Sequence, residues 1–452
     1  MLLFLLWLLA VAQAGSECPI SSYKTDDQLL QIATYETVHE IREAASRVFA
    51  RRLGAKFLES FKTGEFFPLD YLEELERSPS VELRTNLPLA PLEFAYLQAL
   101  AEGGLTLDQL VAGIDTGETF QLRLARAMTV VHLLFNQEII GMSLQEFISQ
   151  QEDYYHSLAE GRFPEITLEF SQREREAILE LWPTMEELLQ GQEVEIWGYR
   201  FNGTLPAARR AFSWIGFLLA PPELGFSTDE VLKLRSPDEW LELAENGTTT
   251  ELRWIAAFIY FTRFLPQELD ELQRLATEGG SHEVRYLAAW LLMERLSEER
   301  EPTPEELLDW ATHGASAELR QWAAYSLEFE FWSACRNEEE IAGQRVTPEW
   351  LYKLAKNGET KELRWAAGAA LGWCWRSRME LARRLGLGEG LSISDIPRQS
   401  EVKAQSLEQA LIIYATENTI IYPEAAQAAI PVLIALYGLP EANVVFSGPG
   451  GN

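Results

Sequence analysis

Apolar residues recur three and four positions apart along most of the chain, a spacing that puts them on one face of a helix. Between residues 240 and 367, a segment of the form Leu-x-x-Leu-Ala is followed by a glycine, an acidic-apolar-Arg group and alanines. The glycine precedes the arginine by six residues in four copies, and an alanine follows it by three. Successive arginines are 32, 35 and 44 residues apart, and they are Arg253, Arg285, Arg320 and Arg364. The pattern predicts repeated pairs of short helices.

Weaker copies of the same pattern lie upstream. The second of them is interrupted after its arginine by Pro88 and Pro91. A degenerate last copy begins at Pro423 and has no arginine at the repeat position. Eight units therefore carry the arginine and a ninth ends the array; the upstream arginines are Arg42, Arg84, Arg123 and Arg209.

Each element of the repeat has a physical reason. The Leu-x-x-Leu-Ala stripe is the buried face of a first helix, and the glycine after it is expected to end that helix in a left-handed conformation. A Ser, Thr or Pro then starts the second helix; Thr303-Pro304 and Thr347-Pro348 open first helices in the same way. Such a hairpin buries its apolar face only against its neighbours. The expected fold is all-α, an α-solenoid of about eight or nine antiparallel helical hairpins.

This pattern resembles the HEAT-like repeats of the phycobilin-lyase type, over residues 25–130 and 200–435. The resemblance implies a curved superhelix with one concave and one convex surface, and it says little about function. Residues 131–200 fit poorly and are interpreted as an irregular helical insertion, with helices expected at 143–158, 171–181 and 184–190. The predicted divisions are residues 25–130, 131–200 and 201–440, followed by a disordered tail at 441–452.

Residues 1–14 have the form of a secretory signal peptide, because an apolar run leads into Ala12-Gln13-Ala14. No later stretch is apolar for about 18 residues, so the mature chain is expected to have no transmembrane segment. These features predict export to the periplasm, cell envelope or extracellular space. Cys335 and Cys374 lie in apolar helical patterns and are interpreted as buried thiols, although an intramolecular disulfide involving them or Cys18 stays open.

The chain has 38 Lys and Arg against 69 Asp and Glu, a net charge of −31. Such a surface repels a phosphate backbone, which argues against a nucleic-acid partner. It favours a protein or peptide partner that carries a basic patch.

Two features of the repeat are candidate binding groups. The repeated arginine could form a ligand-binding ladder, but an ion pair with an acidic residue of the neighbouring unit explains better why every unit has it. An aromatic residue follows the arginine at Trp254, Tyr286 and Trp365, and Trp322 lies one place further on. In a regular array these side chains would form a column that stacks on sugars or on a partner's side chains. Packing between helices is the favoured alternative.

No motif predicts catalysis, a cofactor or a metal. His39-Glu40 and His282-Glu283 suggest comparison with deoxyhypusine hydroxylase, a HEAT-like di-iron family, but here the pairs precede the repeat arginine, whereas that family places them after it. The preferred hypothesis is a non-catalytic, exported scaffold for protein interactions in the bacterial cell envelope. The alternative is a carbohydrate-active enzyme, a glycosidase or lyase with an α/α toroid, or a protein with a glycan partner. Glu193, Glu195 and Asp238 are among its candidate acids, and nothing in the sequence marks a pair.

Overall fold

The computed structural model describes residues 25–35, 39–162, 169–264, 268–300, 302–337 and 339–370. The predicted signal peptide, the predicted ninth unit and tail, Cys18 and Cys374 lie outside the described residues. Within them the chain is mostly helical, as predicted. The helices are α1 (Asp26–Tyr35), α2 (His39–Thr63), α3 (Leu69–Glu76), α4 (Val81–Asn86), α5 (Leu89–Ala101), α6 (Leu107–Thr116), α7 (Phe120–Phe135), α8 (Leu144–Ala159), α9 (Gln172–Leu189), α10 (Pro206–Phe217), α11 (Thr228–Leu232), α12 (Pro237–Asn246), α13 (Thr250–Arg263), α14 (Leu269–Glu278), α15 (His282–Glu299), α16 (Pro304–His313), α17 (Ala317–Asn337) and α18 (Pro348–Asn357), with 361–370 also helical.

The chain divides into two compact units. Among the described residues, the first unit contains those from Phe49 to Gln267 and from Gly279 to Leu287. The second contains those up to Val48, those from Glu268 to Glu278, and those from Ala288 onward. In both units the core is formed by the apolar helix faces and by the repeat alanines, which are almost completely buried: Ala244, Ala256 and Ala257 in the first, and Ala276, Ala323 and Ala324 in the second.

Serine and threonine caps fix where many helices begin. The side chains of Ser143, Ser171, Ser236 and Thr303 each accept a hydrogen bond from the backbone amide three residues on, and the carboxylate of the Glu at that position accepts one from the amide of the cap residue. The expected starts of α8 and α9 after Ser143 and Ser171 are thus confirmed. The expected break near residue 182 is wrong, because α9 continues through Pro183 to Leu189. The buried side chains before and after the proline, Ile178, Trp182, Met185 and Leu188, hold the helix against the core.

The glycine in the repeat turn does not have the expected left-handed conformation. Gly247, Gly314 and Gly358 have φ values of −54°, −50° and −57°, which any residue can adopt. The glycine is needed for space instead. A Cβ atom on Gly247 would lie 2.6 Å from the Leu243 carbonyl oxygen and 3.1 Å from the Arg253 Cγ atom. Corresponding contacts would form at Gly314 and Gly358.

In the part of the chain that the structure describes, two short antiparallel hairpins interrupt the helices, and the sequence pattern does not predict them. β1 (Glu193–Ile196) pairs with β2 (Tyr199–Asn202), and β3 (Glu340–Ile341) pairs with β4 (Gln344–Arg345). Each has a two-residue loop in which both residues have positive φ: Trp197 and Gly198 in one, and Ala342 and Gly343 in the other.

The first hairpin explains why the end of the 131–200 segment fits the repeat poorly. Helix α9 is the first helix of the sequence repeat that contains Arg209, and the β1–β2 hairpin is inserted into the turn after this helix. A Cβ atom on Gly203 would lie 2.5 Å from the Leu188 carbonyl oxygen, as one on Gly247 would approach Leu243. The chain takes 14 residues from Leu189 to Gly203 where Ala244 to Gly247 takes three.

Candidate functional site

The repeat arginines bind the turn of their own unit. In five units the guanidinium Nη1 donates to the carbonyl oxygen of the glycine six residues earlier, at 2.7–3.0 Å. The glycine leaves room for the arginine stem, and its carbonyl receives the guanidinium. These arginines are Arg209, Arg253, Arg285, Arg320 and Arg364.

The same guanidinium reaches the next unit along the chain. Arg209 Nε lies 2.9 Å from Glu251, which is two residues before the arginine of the following unit. Arg253 contacts the corresponding Glu283 through both Nε and Nη2, at 3.0 and 3.2 Å, and Glu283 is only 1% exposed. In the second compact unit, Arg320 Nε lies 3.7 Å from Glu362. These three arginines therefore join consecutive helical pairs, as a structural link would.

The three arginines upstream of residue 130 have other surroundings. Arg84 donates to the carbonyl oxygen of Ser78, which stands where six other units have glycine. The Cγ atom of Arg123 packs on Gly117, where a Cβ would lie 2.7 Å away. Arg42 lies in the first half of α2, and its carbonyl accepts a hydrogen bond from the Ser46 hydroxyl at 2.6 Å.

A second link between units comes from the serine or threonine that caps the second helix. Ser281 Oγ accepts from the Val284 amide at 3.2 Å and donates to the Ala244 carbonyl of the preceding pair at 2.8 Å. In the second compact unit, Ser316 does the same with Ala276 and Thr360 with Ala311. One hydroxyl thus satisfies an orphan amide at a helix start and a carbonyl on its neighbour.

The four predicted aromatic residues lie in two groups, one in each compact unit. Trp254 and Tyr286 are partly buried and contact each other edge to face, with ring centroids 5.5 Å apart. The exposed imidazole of His282 lies beside both rings. In the second unit, Tyr325 lies 5.4 Å from Trp322 and 4.7 Å from Trp365.

The Tyr325 group continues along one face of α17, which the sequence reasoning missed. The exposed Phe329 contacts Trp332 at 5.3 Å, and the Arg336 guanidinium carbon lies 5.7 Å from the Trp332 ring centroid. These positions follow a spacing of three and four, so they share a helix face. We call this surface the α17 aromatic stripe; its members are Trp322, Tyr325, Phe329, Trp332 and Arg336, with Trp365 against Tyr325.

A shallow pocket of about 360 Å³ opens between two turns of the first unit. Its charged groups are already engaged within the protein. Arg253 and Glu283 pair with each other, and Glu245 accepts a hydrogen bond from the Gly280 amide at 3.0 Å. This arrangement stabilises the contact between the turns and gives no geometric sign of a bound ligand.

The structure places the candidate acids at exposed positions. Glu193 and Glu195 lie on the exposed face of β1, and Asp238 is exposed in the first turn of α12. Among the described residues, no group of three His, Cys, Asp or Glu side chains could hold a metal ion. His282 packs against aromatic rings, and its neighbour Glu283 binds Arg253.

Cys335 lies on α17 and is completely buried, as expected, but it is not a thiol. It is disulfide-bonded, so the interpretation of this residue as a buried thiol is wrong. The other two cysteines, Cys18 and Cys374, lie outside the described residues.

Comparisons of the chain with protein-family models, with curated proteins and with solved structures found no match. In the described part of the chain, no single helix is long and apolar enough to cross a membrane. Only the pair Phe120–Ile140 and Leu144–Ala159, bent by 114°, meets the length and composition criteria together.

Proposed function

We propose that this protein is an exported, non-catalytic HEAT-like solenoid that serves as a scaffold for protein interactions in the bacterial cell envelope. The α17 aromatic stripe carries the proposal. Phe329 is 62% exposed and Tyr325 is 41% exposed, and both are large aromatic side chains on one helix face. Contiguous exposed aromatic surface is typical of protein-binding sites, where such rings anchor a partner.

The repeat geometry supports the solenoid part of the proposal. The Arg–Glu link and the shared hydroxyl recur at successive turns, and each joins one helical pair to the next. A link that repeats with the sequence period builds an open array by translation from unit to unit. These links support the solenoid part of the proposal within each compact unit.

The disulfide at Cys335 supports export. Structural disulfides form and persist in oxidising compartments and are rare in the cytosol. The net charge of −31 supports a basic partner, because opposite charge accelerates encounter and disfavours acidic competitors.

The experiment is chemical crosslinking in intact cells, followed by purification of the tagged full-length chain from an envelope fraction. We expect one stoichiometric protein partner whose recovery falls when the ionic strength rises from about 0.05 to about 0.5 M, because this shortens the Debye length severalfold. An unrelated exported protein of similar negative charge serves as the control bait. Recovery of glycan without protein, or hydrolysis of a polysaccharide by the purified chain, would favour the carbohydrate alternative and refute the scaffold.

A further inference from the structure

The α17 aromatic stripe has the dimensions of a short peptide. From Trp322 to Trp332 the helix rises by about 15 Å, at 1.5 Å per residue. An extended chain covers that length with about five residues. Its alternate side chains point the same way, so three of the five would face the stripe.

One guanidinium of the protein itself already stacks on a ring of the stripe. The Arg336 side chain lies over the face of Trp332, with its Cζ atom 5.7 Å from the ring centroid, which is within the range of a cation–π contact. The next ring, Phe329, is the most exposed aromatic ring of the stripe. It offers a second arginine the kind of surface that Trp332 offers Arg336.

Exposed carboxylates close in sequence to the stripe also favour a cation. Glu339 and Glu340 lie two and three residues after the end of α17, and Glu359, with a side chain 75% exposed, lies six residues before Trp365. Arginine is the cation that suits this combination, because its planar guanidinium stacks on aromatic rings and also pairs with carboxylates.

We propose that the α17 aromatic stripe binds an extended, arginine-containing segment of a partner protein. Arginines at alternate positions stack on Phe329 and Tyr325, and flanking basic residues lie near the carboxylates. The inference rests on the proposed function, whose partner class it specifies.

The test uses a labelled nine-residue peptide in which three arginines alternate with serines, and it measures binding to the full chain by fluorescence anisotropy. Matched peptides carry lysine or glutamate instead of arginine. We expect the arginine peptide to bind several-fold more tightly than the lysine peptide, and the glutamate peptide not to bind. Equal binding of the arginine and lysine peptides would overturn the stacking argument.

Four variants localise the binding. Phe329→Ala is expected to weaken the arginine peptide by about fivefold or more, and Phe329→Tyr to retain binding. Arg336→Ala is expected to tighten it, because it removes a competing cation and frees the face of Trp332. Tyr35→Ala removes another exposed aromatic residue, 69% exposed on α1, and is expected to change nothing. Circular dichroism of each variant checks that it remains folded.

The outcomes separate this inference from the proposed function. A crosslinked partner that Phe329→Ala still captures would leave the scaffold intact and refute the stripe as its docking site. Peptide binding that survives Phe329→Ala would refute it as well. If the peptide behaves as expected but cells yield no protein partner, the stripe assignment holds and the scaffold fails. Loss of oligosaccharide binding in Phe329→Ala, with no peptide binding, would assign the stripe to a glycan.

Discussion

At the scale of single residues, the repeat glycine makes room for an arginine. Its backbone has negative φ, so a larger residue would not be strained by conformation. The nearest atoms decide the matter, because the carbonyl four residues earlier and the arginine stem both lie where a Cβ would stand. The sequence pattern suggests that the glycine is there for its conformational freedom. The structure shows that it is there because no Cβ atom fits.

This reading predicts opposite effects for two glycine-to-alanine substitutions. Gly247→Ala is expected to destabilise the protein by about 1–3 kcal/mol, because its Cβ would lie 2.6 Å from a carbonyl oxygen. Gly54→Ala in α2 has no atom within 4 Å of the new Cβ and is expected to stabilise by about 0.5–1 kcal/mol. Urea denaturation of the two variants measures both effects. A glycine required only for flexibility would not give this difference in sign.

Glu76 is a buried carboxyl that makes stability depend on pH. It is 2% exposed, and no described residue hydrogen-bonds its Oε2 atom. Burial raises its pKa from 4.5 to about 8, against the opposing positive charge of Arg84. The folded state therefore holds a proton that the unfolded state releases above pH 4.5. Its contribution to stability is full below that pH and is lost as pH rises toward 8.

Glu76→Gln removes this ionisation while keeping the shape of the side chain. Relative to wild type, the variant is expected to gain stability between pH 6 and pH 8, on the order of 2 kcal/mol over the two pH units. Urea unfolding at several pH values measures the difference. Parallel pH profiles for the two proteins would contradict the assignment, and Glu74→Gln at an exposed position two residues earlier on α3 is the matched control.

At the scale of elements, the Arg–Glu pair joins one helical pair to the next. Arg253→Ala leaves the carboxylate of Glu283 buried without its guanidinium, which is expected to cost about 3–5 kcal/mol. Arg274→Ala breaks an exposed ion pair with Glu271 and is expected to cost less than about 1 kcal/mol.

A double-mutant cycle separates the free energy of the Arg253–Glu283 ion pair from the contribution of the packed methylene groups of Arg253. Arg253→Ala combined with Glu283→Gln is expected to cost less than the sum of the single changes, because the second removes the stranded charge. Urea denaturation gives all four free energies of unfolding. Additive effects would mean that the two side chains contribute separately, with no link between units.

Sequence predicts these helical elements well where a local rule specifies them. Thr303-Pro304 and Thr347-Pro348 start helices as expected, since a cap and a first-turn proline act within one turn. The first hairpin is not predicted from the sequence, because β1 has only two inward side chains, Val194 and Ile196. Its loop is Trp-Gly, which is not a common hairpin signal. Pro183 leads to the wrong prediction of a helix break, because the packing of α9 against the core outweighs the local effect of the proline.

The candidate site is less predictable than the fold, because exposure depends on what the neighbouring elements cover. The spacing of Trp322, Tyr325 and Phe329 on α17 reads as one buried helix face, and only the assembled structure leaves Phe329 uncovered. The position after the arginine does contain aromatic residues that contact one another. Their contacts with His282 and Tyr325 come from residues outside the repeat template.

At the scale of the whole molecule, the disulfide at Cys335 makes the stability of the protein depend on whether its compartment is oxidising or reducing. Cys335 is fully buried on α17, and its bond restricts the unfolded chain. We expect a reducing agent to lower the free energy of unfolding by about 2–4 kcal/mol. Cys335→Ala should lower it comparably in oxidising buffer and should then be insensitive to the reducing agent.

Peptide mapping under non-reducing conditions identifies whether Cys18 or Cys374 is the bonded partner. Removing that cysteine should reproduce the loss caused by Cys335→Ala, whereas removing the third cysteine should leave stability unchanged. A wild-type chain equally stable with and without the reducing agent would contradict the prediction. It would also remove the disulfide argument for export, because a chain that gains nothing from oxidation is equally suited to a reducing compartment.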